Sequence, residues 1–129
     1  MKKEKIIYWT TTLLLSGMML FSAVNYLIAE EMKQGFAHLG FSDAFRIELA
    51  IAKILGAAAL LLPQVPYLLK QFAYFGFALT FISASIAHAA AGDPVQVVIM
   101  PVIFLGVLAV SYYYAVKLYA PRWQKQAVR

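Results

Sequence analysis

Residues Ile6 to Ala29 read IIYWTTTLLLSGMMLFSAVNYLIA, with no charge anywhere in the run. As a helix rising ~1.5 Å per residue it reaches ~36 Å, enough to cross a hydrocarbon slab about 30 Å thick. Three further runs have the same character. Ala44–Leu62, AFRIELAIAKILGAAALLL, is interrupted by Arg46, Glu48 and Lys53. Phe72–Ala91, FAYFGFALTFISASIAHAAA, has His88 as its one basic group. Val95–Tyr119, VQVVIMPVIFLGVLAVSYYYAVKLY, is free of charge up to Lys117. These runs are apolar on every face. A membrane barrel would need shorter segments of alternating polarity.

The whole chain agrees. Of its 129 residues 63% are apolar and 13% charged, where a soluble domain carries roughly 25% charged residues. Mean hydropathy is +0.74. A soluble core of this length cannot hide so much apolar surface, so most of the chain is solvated by lipid. A cytosolic enzyme, a disordered tail and a secreted disulfide scaffold are excluded. Cysteine is absent, which removes thiol redox chemistry, thiolate zinc and iron–sulfur ligation.

The connections predict topology. Glu30–Asp43 reads as a polar first loop. Pro63–Gln71 carries two prolines that end one helix and redirect the chain. Gly92-Asp93-Pro94 reads as a tight turn whose proline suits a helix start. Short links force antiparallel neighbours, so the expected fold is all-α: an integral membrane four-helix up-down-up-down bundle. Residues 1–129 form a single transmembrane domain with helices near 6–29, 44–62, 72–91 and 95–119. The first run is too long for a signal-peptide core and has no clear small-x-small cleavage site.

Charge orients the bundle. Lys2, Lys3, Lys5, Lys70, Lys117, Arg122, Lys125 and Arg129 lie on one side, while Lys33, and Arg46 at most, lie on the other. The positive-inside rule places both termini in the cytoplasm of an inner-membrane, multi-pass protein. Basic residues split between two tails and a loop make a poor phosphate track, which argues against nucleic acid as a partner. Tyr112, Tyr113, Tyr114, Tyr119, Trp123 and Trp9 fit an aromatic belt at the inner face.

Polar groups at membrane depth are the candidate site, because they are costly unless partnered. Helical rise sets Glu48 ~6 Å and Lys53 ~14 Å below the outer start of the second run, His88 ~5 Å below the outer end of the third, and Asn25 ~6 Å below that of the first. Asn25, Glu48 and His88 then share an outer-leaflet layer, with His38 above it and Lys53 beneath, near mid-membrane. A lysine this deep needs a carboxylate, water or an anionic ligand. Structural roles compete at each position: Asn25 can bond a neighbouring backbone, Arg46 can snorkel and pair with Asp43, and Glu48 and Lys53 can set helix register. Haem between two histidines fits poorly, since His38 is read as a loop residue, and a dinuclear carboxylate centre needs more acids, so no metal site is assigned. The small residues Gly76, Thr80 and Ala84, in line with His88, and Ala52, Gly56 and Ala59, are read as packing stripes. Pro101 should kink the fourth helix or free a carbonyl.

The series Phe36-Ala37-His38-Leu39-Gly40-Phe41, Ile51-Ala52-Lys53-Ile54-Leu55-Gly56, Pro63, Lys70-Gln71-Phe72-Ala73-Tyr74-Phe75-Gly76, Ser85-Ile86-Ala87-His88 and Gly92-Asp93 resembles the DoxX-like family of small four-helix bacterial membrane proteins. The resemblance covers roughly residues 5–120. Lys53, His38 and His88 fall on positions that the family pattern also marks, whereas Gln71 and Phe72 depart from its lysine-glutamate-tryptophan series. The family is named for a subunit linked to thiosulfate oxidation with quinone as acceptor, so the resemblance implies a redox neighbourhood. The expected function is an accessory subunit or a small lipophile- or quinone-binding protein, with Asn25, Glu48, Lys53, His88 and His38 lining the pocket. A quinone-coupled oxidoreductase acting alone, a purely structural subunit and a transporter are the competing readings. Membrane lipid is the expected surrounding, with a membrane protein or a second copy as possible partner.

Overall fold

The computed structural model describes residues 2–120. Arg122, Trp123, Lys125 and Arg129, assigned above to the inner face, lie outside the described residues. The described chain holds five helices and no strand: α1 (Lys2–Ile28), α2 (Glu30–His38), α3 (Asp43–Leu61), α4 (Tyr67–Ala90) and α5 (Val95–Tyr119). By length and composition α1, α4 and α5 can each cross a membrane. The 19-residue α3 is not among them, because Asp43, Arg46, Glu48 and Lys53 make it too charged.

Two sequence expectations need correction. Most of the stretch expected as a polar first loop is a helix, α2. Glu30 and Glu31 place negative charge in its first turn, where it complements the helix dipole, and Phe36 supplies a buried anchor. The Phe36 ring sits 4.8 Å from Tyr26 and 6.0 Å from Phe41, centroid to centroid. The link between α3 and α4 is also shorter than expected. Helix α4 starts at Tyr67, directly after Pro66, rather than at residue 72. Lys70 is thus a helix residue, 8% exposed, and its Nζ donates to the carbonyls of Ala59, Leu60 and Leu62 at 2.7, 3.3 and 3.0 Å. It serves carbonyls at the C-terminal end of α3, where the helix supplies no further N–H of its own, and adds to the Val65 N–H bond at Leu62 O.

Both α2 and α4 end in the same motif. After α2, Phe41 N–H donates to Phe36 O and Gly40 N–H to Ala37 O; after α4, Asp93 N–H donates to His88 O and Gly92 N–H to Ala89 O. These are Schellman closures, and the left-handed residue each requires is glycine, Gly40 at φ 87° and Gly92 at φ 77°. Ser42 caps the start of α3 by accepting from Phe45 N–H at 3.1 Å.

Helix α1 packs on α3 and α5, α4 packs on α5 and α3, and α2 lies across α3 and the end of α1. One end of the molecule gathers Tyr8, Trp9, Tyr119, Pro63 and Lys70, with Glu4 and Lys117 paired at 3.6 Å. The other end brings the α2 terminus to the α4–α5 turn. The outward faces carry large apolar side chains, such as Phe21, Leu55, Phe72 and Ile86, each more than 60% exposed. Polar groups take the inside instead. The buried positions of α3 are Arg46, Ala50, Lys53, Ala57 and Leu60, alternating steps of four and three, and so form one seam. Between α1, α4 and α5, Ser111 Oγ lies 2.7 Å from both Thr12 Oγ1 and Tyr74 OH. Ser85 Oγ donates to Val98 O at 2.8 Å, which ties α4 to α5 within the turn before Pro101.

The packing stripe expected on α3 is seen at Gly56, where an added Cβ would lie 2.7 Å from Phe77 Cζ. Gly76 has open space around it, so the α4 stripe does something else, described below. Gly56→Ala should destabilise the protein by about 1–3 kcal/mol through overpacking. Thermal unfolding in detergent checks this, and Phe77→Leu in the same chain should restore most of the loss.

Candidate functional site

The α4 stripe lines a groove. Thr80, Ser83, Ala84, Ala87 and His88 form one wall of a cavity of about 500 Å³, faced by Phe45 and Leu49 of α3 and by Ser22 and Tyr26 of α1. Met32, Gly35 and Phe36 of α2 and Leu39 beyond it roof the cavity. A second cavity of about 400 Å³ continues along α3 and α4, lined by Lys53, Gly56, Gly76 and Phe77 among others, and shares Leu49 and Thr80 with the first. Small side chains on α4 hold this cleft open; large ones would fill it.

Lys53 lines the second cavity, and the two groups its Nζ touches, Ser22 and Tyr26, line the first. It is 4% exposed. Its Nζ donates to Ser22 Oγ at 2.8 Å and lies 3.8 Å from the centroid of the Tyr26 ring, a cation–π contact. Two turns earlier on the same seam Arg46 is 3% exposed. Its Nη1 donates to the Tyr26 carbonyl near the end of α1, and its Nη2 pairs with Asp43 at 3.5 Å, as the sequence suggested. Its Nε has no hydrogen-bond partner among the described residues. Tyr26 thus meets both α3 cations, one through its ring and one through its backbone.

Where the ends of α2 and α4 meet, two histidines share one carboxylate. His88 Nδ1 lies 2.6 Å from Asp93 Oδ2, and His38 Nε2 lies 3.1 Å from Asp93 Oδ1. The carboxylate accepts, so each ring presents an N–H to it, His88 through Nδ1 and His38 through Nε2. The Schellman closure of α4 makes this possible by folding Asp93 back over the last turn, where His88 sits. The bond to His38 ties α2 to the α4–α5 turn across 55 residues of chain. The His88 ring first, then the His38 ring, holds the Asp93 carboxyl below the usual carboxylate range.

The five residues expected to share a pocket are divided. Lys53 and His88 line the cleft. His38 is 58% exposed at the side chain and reaches the site through Asp93. Asn25 donates to Phe21 O at 2.9 Å within its own helix, the backbone role weighed above. Glu48 is exposed on α3, and no hydrogen bond or ion pair ties it to another described residue. The sequence argument missed Ser22, Tyr26 and Asp93. A signal existed for Asp93, since a glycine stop after a helix folds the next residue back over the last turn.

An all-helical protein with an apolar exterior, buried cations and a cleft between helices is the class these features define. The family model of the DoxX-like family matches residues 10–111, and the chain belongs to that family. It is a membrane protein of that family. No curated protein and no solved structure matches the chain.

The Asp93 latch has a pH signature. A carboxyl held low when folded stabilises the folded state above the ordinary value of 3.8 and loses that contribution as pH falls through the folded value. Wild type should therefore unfold at a higher temperature than Asp93→Ala at pH 7. The gap should persist to pH 5 and close below pH 3.8, which a series of thermal melts checks.

Proposed function

We propose that the chain is a four-span bundle of the inner membrane with both termini in the cytoplasm, and that it binds a lipophile with a polar head. A quinone is the first candidate, and the chain serves as an accessory binding subunit for a membrane redox partner. The supporting observation is the pair of neighbouring cavities along α3 and α4, which share Leu49 and Thr80 and are apolar along most of their walls. Lys53 lines one of them beside groups that line the other, and His88 lines the other. Such a site suits a long apolar molecule whose head accepts hydrogen bonds. Lys53 would bond a ligand oxygen, while His88, backed by Asp93 and His38, would hold or pass a proton at the outer end. In the four-span arrangement α3 crosses the membrane with its cations turned inward and Ile47, Ile51 and Leu55 turned to lipid.

Binding is preferred to catalysis by this chain alone on the side chains themselves. The sequence has no cysteine, and among the described residues no group of three or more histidines and acids is placed to hold a metal ion. Quinone would be the sole redox group.

Gentle detergent extraction followed by mass spectrometry of the organic extract tests the proposal. Wild type should carry about one lipophile per chain, and Ala84→Trp, which fills the cleft from the α4 side, should carry at most about a tenth as much at unchanged helix content. Equal lipophile content in the two proteins would overturn it.

A further inference from the structure

Lys53 narrows the chemistry of the cleft's occupant, given that the cleft holds a lipophile as proposed above. The chain has six acidic side chains, all among the described residues. Glu4 pairs with Lys117, Glu30 with Lys33 and Asp43 with Arg46, while Asp93 serves the two histidines. Glu31 and Glu48 are exposed. None of the six forms an ion pair with Lys53.

The three buried cations are therefore not equivalent. Arg46 has a carboxylate and a helix-end carbonyl. Lys70 has three carbonyls at the negative end of α3. Lys53 has one hydroxyl and the face of a ring, both neutral. An ammonium has three N–H donors, and a cation removed from water without a counter-charge is the costly case. The side chain lines the lower cavity, and both groups its Nζ touches line the upper one, so the charge stands beside both compartments. Glu31 lines the upper cavity and disfavours an anion there. The Asp93 carboxylate is already engaged, accepting from His88 through one oxygen and from His38 through the other.

We infer that the occupant is an amphiphile whose head is an oxyanion, a carboxylate or the ionised hydroxyl of an acidic quinone, seated against Lys53 Nζ with its apolar chain along the α3–α4 cleft. The ion pair so formed is buried at less cost than either charge alone. It completes a site that the protein leaves one negative charge short. Ser22 and the Tyr26 ring hold the amine in place before the ligand arrives.

Equilibrium binding to the full chain in neutral detergent micelles tests this, with binding to empty micelles subtracted. Two probe pairs are used: a fluorescent long-chain fatty acid with its methyl ester, and a 2-hydroxy-3-alkyl-naphthoquinone with its 2-methoxy ether. Each oxyanion should bind wild type at least about tenfold more tightly than its neutral twin. Lys53→Met should bring that ratio to about one, and Lys53→Arg should keep it. The tighter of the two acids identifies the source of the oxyanion. Equal binding of charged and neutral twins to wild type overturns the inference while leaving lipophile binding intact. A ratio that survives Lys53→Met overturns it too, by placing the charge preference elsewhere. No binding of any of the four probes overturns both this inference and the lipophile site on which it rests.

Discussion

Two cations on α3 must be solvated by protein, and the rest of the arrangement follows from how that is done. Arg46 and Lys53 lie on one seam of the helix, and α1 provides their partners through Tyr26 and Ser22. At the centre of a bilayer-spanning helix, a lysine such as Lys53 turned outward would cost about 2.5–3.5 kcal/mol on an insertion scale. Turned inward, the two cations fix both the rotation of α3 and its register against α1. The outward face then carries Ile47, Ile51, Ile54 and Leu55, with Glu48 among them. Of the four charged residues of α3, the two buried ones share this seam and are met by α1, while Asp43 and Glu48 are exposed.

The cleft is the complement of that contact. With α3 held to α1, its other side meets α4 closely at Gly56 and Phe77, and beyond that point α4 lines the cleft with Leu79, Thr80, Ser83, Ala84, Ala87 and His88. Helix α2 closes the top, held by aromatic packing around Phe36 at one place and by the His38–Asp93 bond at another. Glycine stops after α2 and α4 bring these groups together, since each reverses the chain within one turn. At the opposite end, Lys70 and the hydroxyl cluster of Thr12, Ser111 and Tyr74 keep polar atoms satisfied inside an apolar shell.

Much of this was legible in the sequence, for identifiable reasons. Charge-free runs longer than a bilayer needs can be read from composition alone, and three of the four are long apolar helices. The Asp43–Arg46 pair and the backbone bond of Asn25 follow from helical spacing, which is local. Depth along a helix axis was readable too, and it set Lys53 and His88 apart. Rotation about the axis was not, and for that reason Glu48 was grouped with residues that it does not face. Helix α2 was hidden because a nine-residue amphipathic helix gives a weak periodic signal, and its stability comes from Tyr26 and Phe45, distant in sequence. Lys70 read as a topological charge because its partners, the last carbonyls of α3, are defined only once α4 begins at Tyr67. Asp93 needed both glycine closures to be placed at once.

The direction in which α3 turns its charges is the point on which the account stands, and nitroxide scanning of residues 50–57 in lipid bilayers measures it most directly. Labels at Ile51, Ile54 and Leu55 should collide freely with dissolved oxygen and rarely with a water-soluble relaxant. Labels at Ala50, Lys53 and Ala57 should meet neither. Collision with the water-soluble relaxant all along the segment would contradict the account, because α3 would then lie outside the membrane and Lys53 would need no partner from α1 or from a ligand.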